Sequence, residues 1–598
     1  MGRKTHGAVR PSRKNARSGQ REGFHDALVP ILLMLCVLPL IVRLSEYDCG
    51  YGEYLWYAGS TIRTELYSYH KSRCFVVLAV LCALILPFRF LLYREKCRPW
   101  KTYLPLLVYA VAALLSAFLS QNFTASMVGN LDSFENVWVL LGYAVVSFYA
   151  YQILETEKDY RIVWYGILAV SIAMAVIGIL QVFKINFLEY EWGQKLVMTA
   201  EQYAVYGGEV ESAFTGNNVY LTLYNPNYAG IFLTMLASVS GVMALTEKMK
   251  KRKLAYTALF LLMLLLIWFT YSRSTLVALA AGAVVLAACL GGGQVKRLLC
   301  RGIPAVLVLA VLLIAVDGTQ GFYYLNRMLD SPDIEPLEKL VTTEDAVELV
   351  YDGQDYVFTI EDETVRIRDA AGETLSVLTE GKSVVLHDED GVEASCSDLD
   401  GETELVLYLA DTSMDFVYSD DGYYYINTAG NLDQITEIPA VDFHGLEYLG
   451  SGRVYIWSRV LPLLKRYLLI GSGPDTFAES FPQNDYAGKL IYSNNTGMII
   501  EKGHNDFLTK WVQTGMISSV ACVIFYVLLL RKGIRSCRGS QNRSAAERLR
   551  LGCLVACACY IAGMCFNDST IQTGPMFWLF AGVVLSGCQP TPERAVAK

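Results

Sequence analysis

The residues EKGHNDFLTKWVQTG, positions 501–515, join a long polar segment to an apolar run at positions 516–530. His504, one of six histidines in the chain, stands just before this run. Because about 20 apolar residues cross a bilayer as a helix, the stretch predicts a membrane helix that starts where water meets lipid. An imidazole titrates near physiological pH, so His504 at this boundary is a candidate residue for proton-transfer chemistry.

The rest of the chain repeats this pattern of apolar runs. Its 598 residues are 53% hydrophobic and only 18% charged, and its mean hydropathy is +0.33. Soluble domains carry about 25% charged residues. The composition therefore excludes an ordinary soluble protein and indicates a polytopic membrane protein.

Twelve apolar runs predict an all-α polytopic membrane protein with about 12 transmembrane helices. Nine of them lie within residues 27–316 and three within residues 511–587. The predicted crossings are residues 27–42, 75–92, 104–120, 137–153, 162–182, 228–245, 254–270, 275–290, 303–316, 511–530, 551–566 and 574–585.

Basic residues mark the connections on one side of the predicted membrane. Residues 1–21 contain seven Lys or Arg and no acid, and a second basic cluster lies at 248–253. Under the positive-inside rule, we expect a multi-pass protein of the cell (plasma) membrane. Both tails, residues 1–26 and 588–598, would face the cytoplasm, and the large loop 317–510, between helices 9 and 10, would lie outside.

Part of this large loop has the alternating pattern of β-strands. In TVRIR, residues 364–368, Val365 and Ile367 share one face, and Asp-Gly pairs such as Asp352-Gly353 predict hairpin turns. About eight strands over residues 346–438 predict a small all-β extracytoplasmic domain, a sandwich or a barrel. Residues 330–447 hold 31 acidic and 4 basic residues. That surface repels anionic membranes, and we expect no nucleic-acid partner.

Neither a metal nor a cofactor is indicated. The acidic run DEDG at 388–391 is reminiscent of a calcium loop, but the other ligand positions are missing and solvated turns explain it equally well. Most cysteines lie in or beside apolar runs, where they are packing residues. Cys49 and Cys74 are the pair considered for a disulfide, and we do not predict one.

The second part of the large loop, residues 449–510, changes character. Leu461, Leu464 and Leu468 recur at helical spacing and predict an amphipathic helix near the membrane surface. Basic residues such as Arg453 contrast with the acidic β domain before them. We therefore expect this part to be the catalytic part of the loop.

Two arginines near the predicted outer boundary are candidate anion-binding residues. Arg273 lies in an SRS turn between two crossings, and Arg453 lies in SGR. A planar guanidinium suits a diphosphate, and an arginine buried alone at this boundary is costly. The simpler explanations are a snorkelling cation for Arg273, a surface charge for Arg453 and a helix cap for His504.

The order of these motifs is more specific than any one of them. NPNYAG at 225–230 and a helix–SRS–helix unit precede the large loop; SGR, GSGPDTF at 471–477 and HNDFL at 504–508 follow in it. The chain from about residue 129 to 567, without the β domain, resembles the O-antigen ligase/polymerase family of polytopic membrane glycosyltransferases. That family also includes bacterial protein O-oligosaccharyltransferases, and its H-x-x-x-L pattern fits His504 and Leu508.

The resemblance implies about twelve helices with an outer loop that caps a cavity. It implies metal-independent, cofactor-free transfer of a glycan from an undecaprenyl-diphosphate-linked oligosaccharide or polysaccharide donor. The acceptor would be a hydroxyl of a glycan, a lipid or a protein, and its direct attack would invert the anomeric centre. Carried over by motif, His504 is implied as the general base, and Arg273 and Arg453 as the diphosphate-binding cations.

Four further residues are candidates for substrate binding. Tyr224, Asn225 and Asn227 are candidates for lining the sugar path, although a proline-containing helix start explains them equally well. Asp568 follows a predicted crossing and is a candidate either for orienting the imidazole or for binding sugar. We expect Asp506 to cap the helix that follows it.

Three alternatives stay open. A cell-surface or capsular polysaccharide polymerase would use the same chemistry, with a second lipid-linked repeat as the acceptor. A 12-helix transporter belongs to another class, but no internal repeat relates the two halves and the notable charges cluster at one face. The third alternative is a structural or receptor role for the β domain.

Overall fold

The computed structural model describes most of the chain. The described residues are 25–92, 96–131, 133–208, 217–297, 311, 337–361, 364–369, 371–375, 378–380, 383–385, 392–399, 402–409, 412–419, 421–539 and 543–588. The described α-helices are α1 (Val29–Cys36), α2 (Tyr69–Leu92), α3 (Leu104–Phe118), α4 (Phe123–Val128), α5 (Val137–Ile153), α6 (Glu157–Val182), α7 (Glu191–Val197), α8 (Ala200–Tyr206), α9 (Pro226–Thr246), α10 (Lys250–Trp268), α11 (Ser274–Cys289), α12 (Gly292–Arg297), α13 (Leu449–Leu463), α14 (Phe477–Ser480), α15 (Tyr486–Ser493), α16 (Asp506–Cys537), α17 (Ala545–Gly563) and α18 (Gly574–Ser586).

Five helical segments of the described chain are long and apolar enough to cross a membrane: α2, α3 with the turn before it, α6, α9 and α16. Four shorter apolar segments accompany them: Asp26–Leu40, Val137–Ile153, Ser274–Cys289 and Gly574–Ser586. The protein is therefore mostly helical, with helices suited to a membrane. Each predicted crossing coincides with a described helix, except 303–316, of which only residue 311 is described. The number twelve and the sidedness stay predictions.

Several helices begin earlier than predicted, and two of them, α16 and α10, change the interpretation of the residues at their start. α16 begins at Asp506 because the Asn505 side chain accepts hydrogen bonds from the N–H groups of Phe507 and Leu508. The prediction that Asp506 is the cap is therefore wrong. α10 begins at Lys250, so the basic cluster lies largely in its first turn rather than in the connection before it.

α16 is interrupted close to its start. Gly515 has a φ of 85°, and the Val512 and Gln513 carbonyls before it accept hydrogen bonds of 2.9 Å each from the N–H groups of Ser472 and Gly473. The GSGPDTF segment is thereby bound to the helix at the break. A Cβ on Gly471 would lie 2.2 Å from the Gln513 carbonyl, so only glycine permits this close approach.

The β domain consists of two antiparallel sheets. One has the order β3-β4-β5-β6 and the other the order β13-β12-β11-β10-β9-β8-β7. Phe358 from the first sheet and Phe416 from the second are fully buried in one shared hydrophobic core, as in a sandwich. The strands are β3 (Leu337–Thr342), β4 (Val347–Tyr351), β5 (Gln354–Glu361), β6 (Thr364–Arg368), β7 (Leu378–Glu380), β8 (Ser383–Val385), β9 (Val392–Leu399), β10 (Glu402–Leu409), β11 (Thr412–Ser419), β12 (Gly422–Ile426) and β13 (Leu432–Asp433).

The β domain is larger than predicted. Its described part has eleven strands and begins at Leu337 rather than near residue 346. Val365 and Ile367 are buried, as the alternation predicted. Asp352 and Gly353 form the expected two-residue hairpin turn, with φ angles of 47° and 71°. Gly422 instead starts β12 and pairs with Ser419, whereas the DEDG run lies outside the described residues.

Two smaller predictions also change or stand. Gly450, Ser451 and Gly452 are left-handed, so regular helix in α13 runs only from Arg453. The predicted helix is present at Leu461 but ends before Leu464 and Leu468, so its predicted extent is wrong. Cys49 and Cys74 are free thiols, in line with the absence of a predicted disulfide.

Two connections predicted as loops are partly ordered. A two-stranded sheet, β1 (Ser45–Asp48) with β2 (Ile62–Glu65), lies between α1 and α2. The short helices α7 and α8 lie between α6 and α9. Tyr67, after β2, and Val197, of α7, pack in one hydrophobic cluster with Tyr224, which lies just before α9.

Candidate functional site

A cavity of about 610 Å³ lies where α9, α11 and α16 begin, and the first residues of α13 also line it. Four of the predicted site residues line it: Tyr224, Asn225, Arg273 and His504. They come from segments far apart in the sequence. The fold therefore brings the predicted base and one predicted cation to the same space.

His504 is paired with Asp568. The ring Nδ1 lies 3.0 Å from Asp568 Oδ2, and the second carboxylate oxygen accepts a 2.8 Å hydrogen bond from the Thr509 hydroxyl. The Asp568 side chain is 2% exposed, whereas that of His504 is 45% exposed. Since Nδ1 is engaged by the carboxylate, Nε2 of a neutral ring is the proton-accepting nitrogen.

Asp568 is held in its ionised form despite its burial. Burial alone would raise the pKa of this carboxyl, but the hydrogen bond and charge of His504, then the charge of Lys502 and the Thr509 hydroxyl, lower it below its ordinary value. Both oxygens of Asp568 are thus occupied by protein groups. Two roles were considered for Asp568, orienting the imidazole and binding sugar directly. This arrangement fits the orienting role.

The start of α16 explains how residues 64 positions apart meet. The Asp506 N–H donates to the carbonyls of Met564 and Asn567, and the Asn505 amide donates to the Cys565 carbonyl. These bonds bind the first turn of α16 to the end of α17. Asp568 follows directly and therefore lies beside His504.

Arg273 lies at the start of α11, in the turn that follows α10. Tyr271 in this turn has a φ of 50°. The Asn567 amide donates a 2.6 Å hydrogen bond to the Ser274 hydroxyl. This bond connects the SRS turn to the residue before Asp568. Arg273 and the His504–Asp568 pair are therefore positioned through the same short segment.

Arg453 lies beside the cavity, whose wall includes the preceding residues Gly450–Gly452. Its Nη1 donates a 2.8 Å hydrogen bond to the Gly450 carbonyl. Its Nε is buried and has no hydrogen-bond partner among the described residues. Burial lowers the pKa of Arg453, and the positive charge of Arg273 lowers it further, against the opposing charge of Asp568. Two like charges with an unsatisfied donor form a binding place for an anion.

Asn225 has a structural role as well as a place in the cavity wall. Its side chain caps α9 by accepting a 2.8 Å hydrogen bond from the Asn227 N–H, and Pro226 is the first helical residue. Tyr224 lines the cavity with a φ of 72°. Asn227 is not among the lining residues.

The backbone around the cavity is strained. Of the twelve non-glycine residues with positive φ in the described chain, four line the cavity: Leu131, Tyr224, Ser451 and His504. Such conformations cost about 1–3 kcal/mol each and cluster at functional sites. The strain indicates that the surrounding structure holds the backbone of these residues in conformations that they do not adopt by local preference.

Lys502 is a lining residue that the motifs did not indicate. Its ammonium lies 5.8 Å from the centre of the Tyr228 ring. Burial opposes its charged form, but Tyr228, Asp568, Glu135 and Asp475, in decreasing order, raise its pKa above the ordinary value. In the sequence, the only indication that Lys502 belongs to the site was its position two residues before His504.

Within the described ranges, no cluster of three or more His, Cys, Asp or Glu side chains could hold a metal ion. The charged groups at the cavity are the two arginines, Lys502, Glu501 and the His504–Asp568 pair. This set can accept a proton and bind an anion in the same space.

In comparisons with known proteins, no family model, no curated protein and no solved structure matches the chain significantly. The class of protein therefore follows from the fold and the composition alone: a mostly helical chain with five helices long and apolar enough to span a membrane, within the described residues, and a β domain.

Proposed function

We propose that this protein is a membrane glycosyltransferase. It transfers a glycan from an undecaprenyl-diphosphate-linked donor to an acceptor hydroxyl, in the manner of the O-antigen ligases that its motifs resemble. The observation that carries the proposal is the His504–Asp568 pair, which opens onto the same cavity as Arg273, with Arg453 beside it.

The chemistry needs a base and a stabilised leaving group. Nε2 of His504 takes the proton of the acceptor hydroxyl while its oxygen attacks the anomeric carbon, and Asp568 stabilises the imidazolium that forms. The bond from the anomeric carbon to the diphosphate oxygen breaks, and the lipid diphosphate leaves. Attack from the opposite side inverts the anomeric centre.

The guanidinium groups would supply the positive charge for this step. Arg273 and Arg453 act on each other as like charges, and the Arg453 Nε has no hydrogen-bond partner in the described chain. A diphosphate between them would relieve both costs and would gain charge as the bond breaks. Its lipid tail would reach the bilayer beside the apolar helices.

The base assignment is tested by replacing His504 in cells that lack the native gene. His504→Ala should reduce glycan transfer about 100-fold or more, with normal protein levels in the membrane and near-normal donor binding. His444→Ala is a matched control because His444 Nδ1 also lies 3.0 Å from an aspartate, Asp442, while its side chain is 89% exposed. Transfer at the parental rate in His504→Ala would remove the proposed base.

The diphosphate role is tested by Arg273→Lys. A lysine keeps the charge but loses the planar fork, so the apparent affinity for the lipid-linked donor should fall about tenfold. Arg466→Lys, at an exposed site in the large loop, serves as the control. Unchanged donor affinity in Arg273→Lys would contradict the role.

The acceptor is identified with purified lipid-linked repeats. Chain growth with these repeats alone would make the protein a polysaccharide polymerase. No growth until a second acceptor is added would make it a ligase or a protein glycosyltransferase.

A further inference from the structure

One segment of the chain lies between the β domain and the cavity. Its first part is α15 (Tyr486–Ser493), and we call residues 486–500 the bridging segment. Tyr486 and Leu490 are buried in the hydrophobic core of the β domain. Tyr492 and Ser493, two residues further on, line the cavity. The two ends of one short helix therefore contact two different parts of the protein.

Hydrogen bonds bind the bridging segment to three strands of the β domain. The Tyr486 hydroxyl donates to Asp433 at 2.8 Å, and Tyr425 and Thr496 share a hydroxyl–hydroxyl bond of 3.1 Å. The Thr412 hydroxyl donates to the Asn494 side chain at 2.9 Å. These bonds are distributed over α15 and the turn after it, so the β domain fixes the segment along its length.

The bridging segment continues directly into the site. Met498, Ile499 and Ile500 line the cavity, and only seven residues lie between Thr496 and His504. Gln483 fixes the end of the bridging segment, because its amide donates to the Ile500 carbonyl at 2.8 Å and its oxygen accepts from the Ile500 N–H at 3.0 Å. A shift of the β domain would therefore move the loop that carries the imidazole.

The segment contributes one aromatic ring, that of Tyr492, to the cavity wall. The Tyr492 ring stacks on the buried Tyr455 ring, with centroids 5.1 Å apart and planes at 27°. The Tyr455 hydroxyl donates at 2.9 Å to Asp485, which also caps α15. Tyrosines make up five of the lining residues. A tyrosine offers an apolar face with a polar edge, which suits the apolar face and hydroxyl groups of a sugar ring.

We propose that the β domain is the positioning module of the site: it holds the bridging segment so that the Tyr492 ring contacts a sugar ring of the glycan substrate. The proposal rests on the proposed function for its ligand. It gives the β domain a task in this enzyme and names Tyr492 as a glycan-binding residue. The β domain is fixed on a further side, since the amides of Asn427 and Asn431 donate to the Leu55 carbonyl at 2.8 Å and 2.9 Å.

The first experiment measures hydrogen exchange in the full-length protein in lipid nanodiscs. The variant Tyr425→Phe with Tyr486→Phe keeps both rings in the core and removes hydroxyl bonds to Thr496 and Asp433. Exchange of the peptide 494–504 should be roughly fivefold faster for each bond lost, while the strands keep their protection. Tyr424→Phe is the control, because its hydroxyl makes a 2.9 Å bond to Asp421 in the same domain, away from the segment. Unchanged exchange in the double variant would overturn the positioning role.

The second experiment measures transfer with the lipid-linked glycans of the source cells. Tyr492→Ala should raise KM for the glycan substrate about tenfold with a smaller change in kcat, and Tyr492→Phe should restore KM because the ring is kept. A KM unchanged in Tyr492→Ala would overturn the glycan contact. If the parental protein transfers no glycan, the proposed function fails and so does this contact. The exchange experiment would still decide whether the β domain holds the segment.

Discussion

His504 and His444 differ in their surroundings rather than in their partner. Each ring has Nδ1 3.0 Å from an aspartate oxygen. The His444 pair is exposed on both sides and is screened by water. Asp568 is buried, accepts a second hydrogen bond from Thr509 and cannot turn toward solvent. Only the buried pair can hold an imidazole in one orientation through a reaction.

Asp568→Asn tests this positioning role. The amide has nearly the same shape but no charge to stabilise an imidazolium, so kcat should fall about 100-fold. The KM for the donor should change little, because Asp568 does not line the cavity. Asp442→Asn beside His444 is the matched control. A loss confined to KM, with kcat kept, would instead make Asp568 a substrate-binding residue.

Lys502→Met tests the electrostatic support of the same pair. The positive charge of Lys502 helps to hold the pKa of Asp568 below its ordinary value. Without this charge, the pKa of Asp568 should rise toward its ordinary value, so the carboxylate is lost at a higher pH when the solution is acidified. The acidic limb of the pH–rate profile should therefore lie at a higher pH in Lys502→Met than in the parental protein. Lys465→Met, at an exposed site, should leave the profile in place, and an unmoved acidic limb in Lys502→Met would contradict this role.

Among the elements, α16 shows how a break in a helix serves the site. The Gly515 break lets the backbone of residues 472–473 bind the helix, and a Cβ at Gly515 would lie 2.6 Å from the Leu469 carbonyl oxygen. The helix, the GSGPDTF segment and the Asn505 cap therefore depend on one another. The amphipathic pattern alone cannot reveal such a contact, because each partner looks ordinary in its own sequence window.

Gly515→Ala should destabilise the fold more than Gly539→Ala. Both glycines have φ near +80°, at 85° and 81°, but Gly539 has open space around it. Gly515 also has a ψ of 162°, a conformation essentially confined to glycine that costs another residue about 1–3 kcal/mol, and the overlap with Leu469 adds about 1–3 kcal/mol. Thermal unfolding of the two purified variants measures the difference. Equal midpoints would show that the segment can move away without cost.

At the scale of the whole molecule, hydropathy predicted the helices because the period and length of apolar runs are local properties. Alternation predicted the β domain for the same reason. The first strand was missed because residues 337–342 show no strict alternation and pair with β4 only in the folded sheet. At the site, the motif order indicated Arg273, Arg453 and His504. Lys502 and Tyr492 were missed, because their roles depend on contacts across distant segments.

The orientation in the membrane is tested with single cysteines and a membrane-impermeant thiol reagent. His444→Cys should react in intact cells, because the positive-inside rule places residues 317–510 outside. Lys251→Cys, in the first turn of α10, should react only after permeabilisation. The parental protein gives the background from its own thiols. Labelling of Lys251→Cys but not His444→Cys in intact cells would reverse the predicted orientation.

The break at Gly515 also has a consequence for how the protein would tolerate membranes of different thickness. The 32 residues of α16 would measure about 48 Å as one straight helix, against a hydrocarbon layer of about 30 Å. The portion after Gly515, residues 516–537, spans about 33 Å, which nearly matches that layer. Tilting in response to hydrophobic mismatch can then be confined to residues 516–537. Residues 506–514 would meanwhile keep Thr509 and the neighbouring imidazole within hydrogen-bond distance of Asp568.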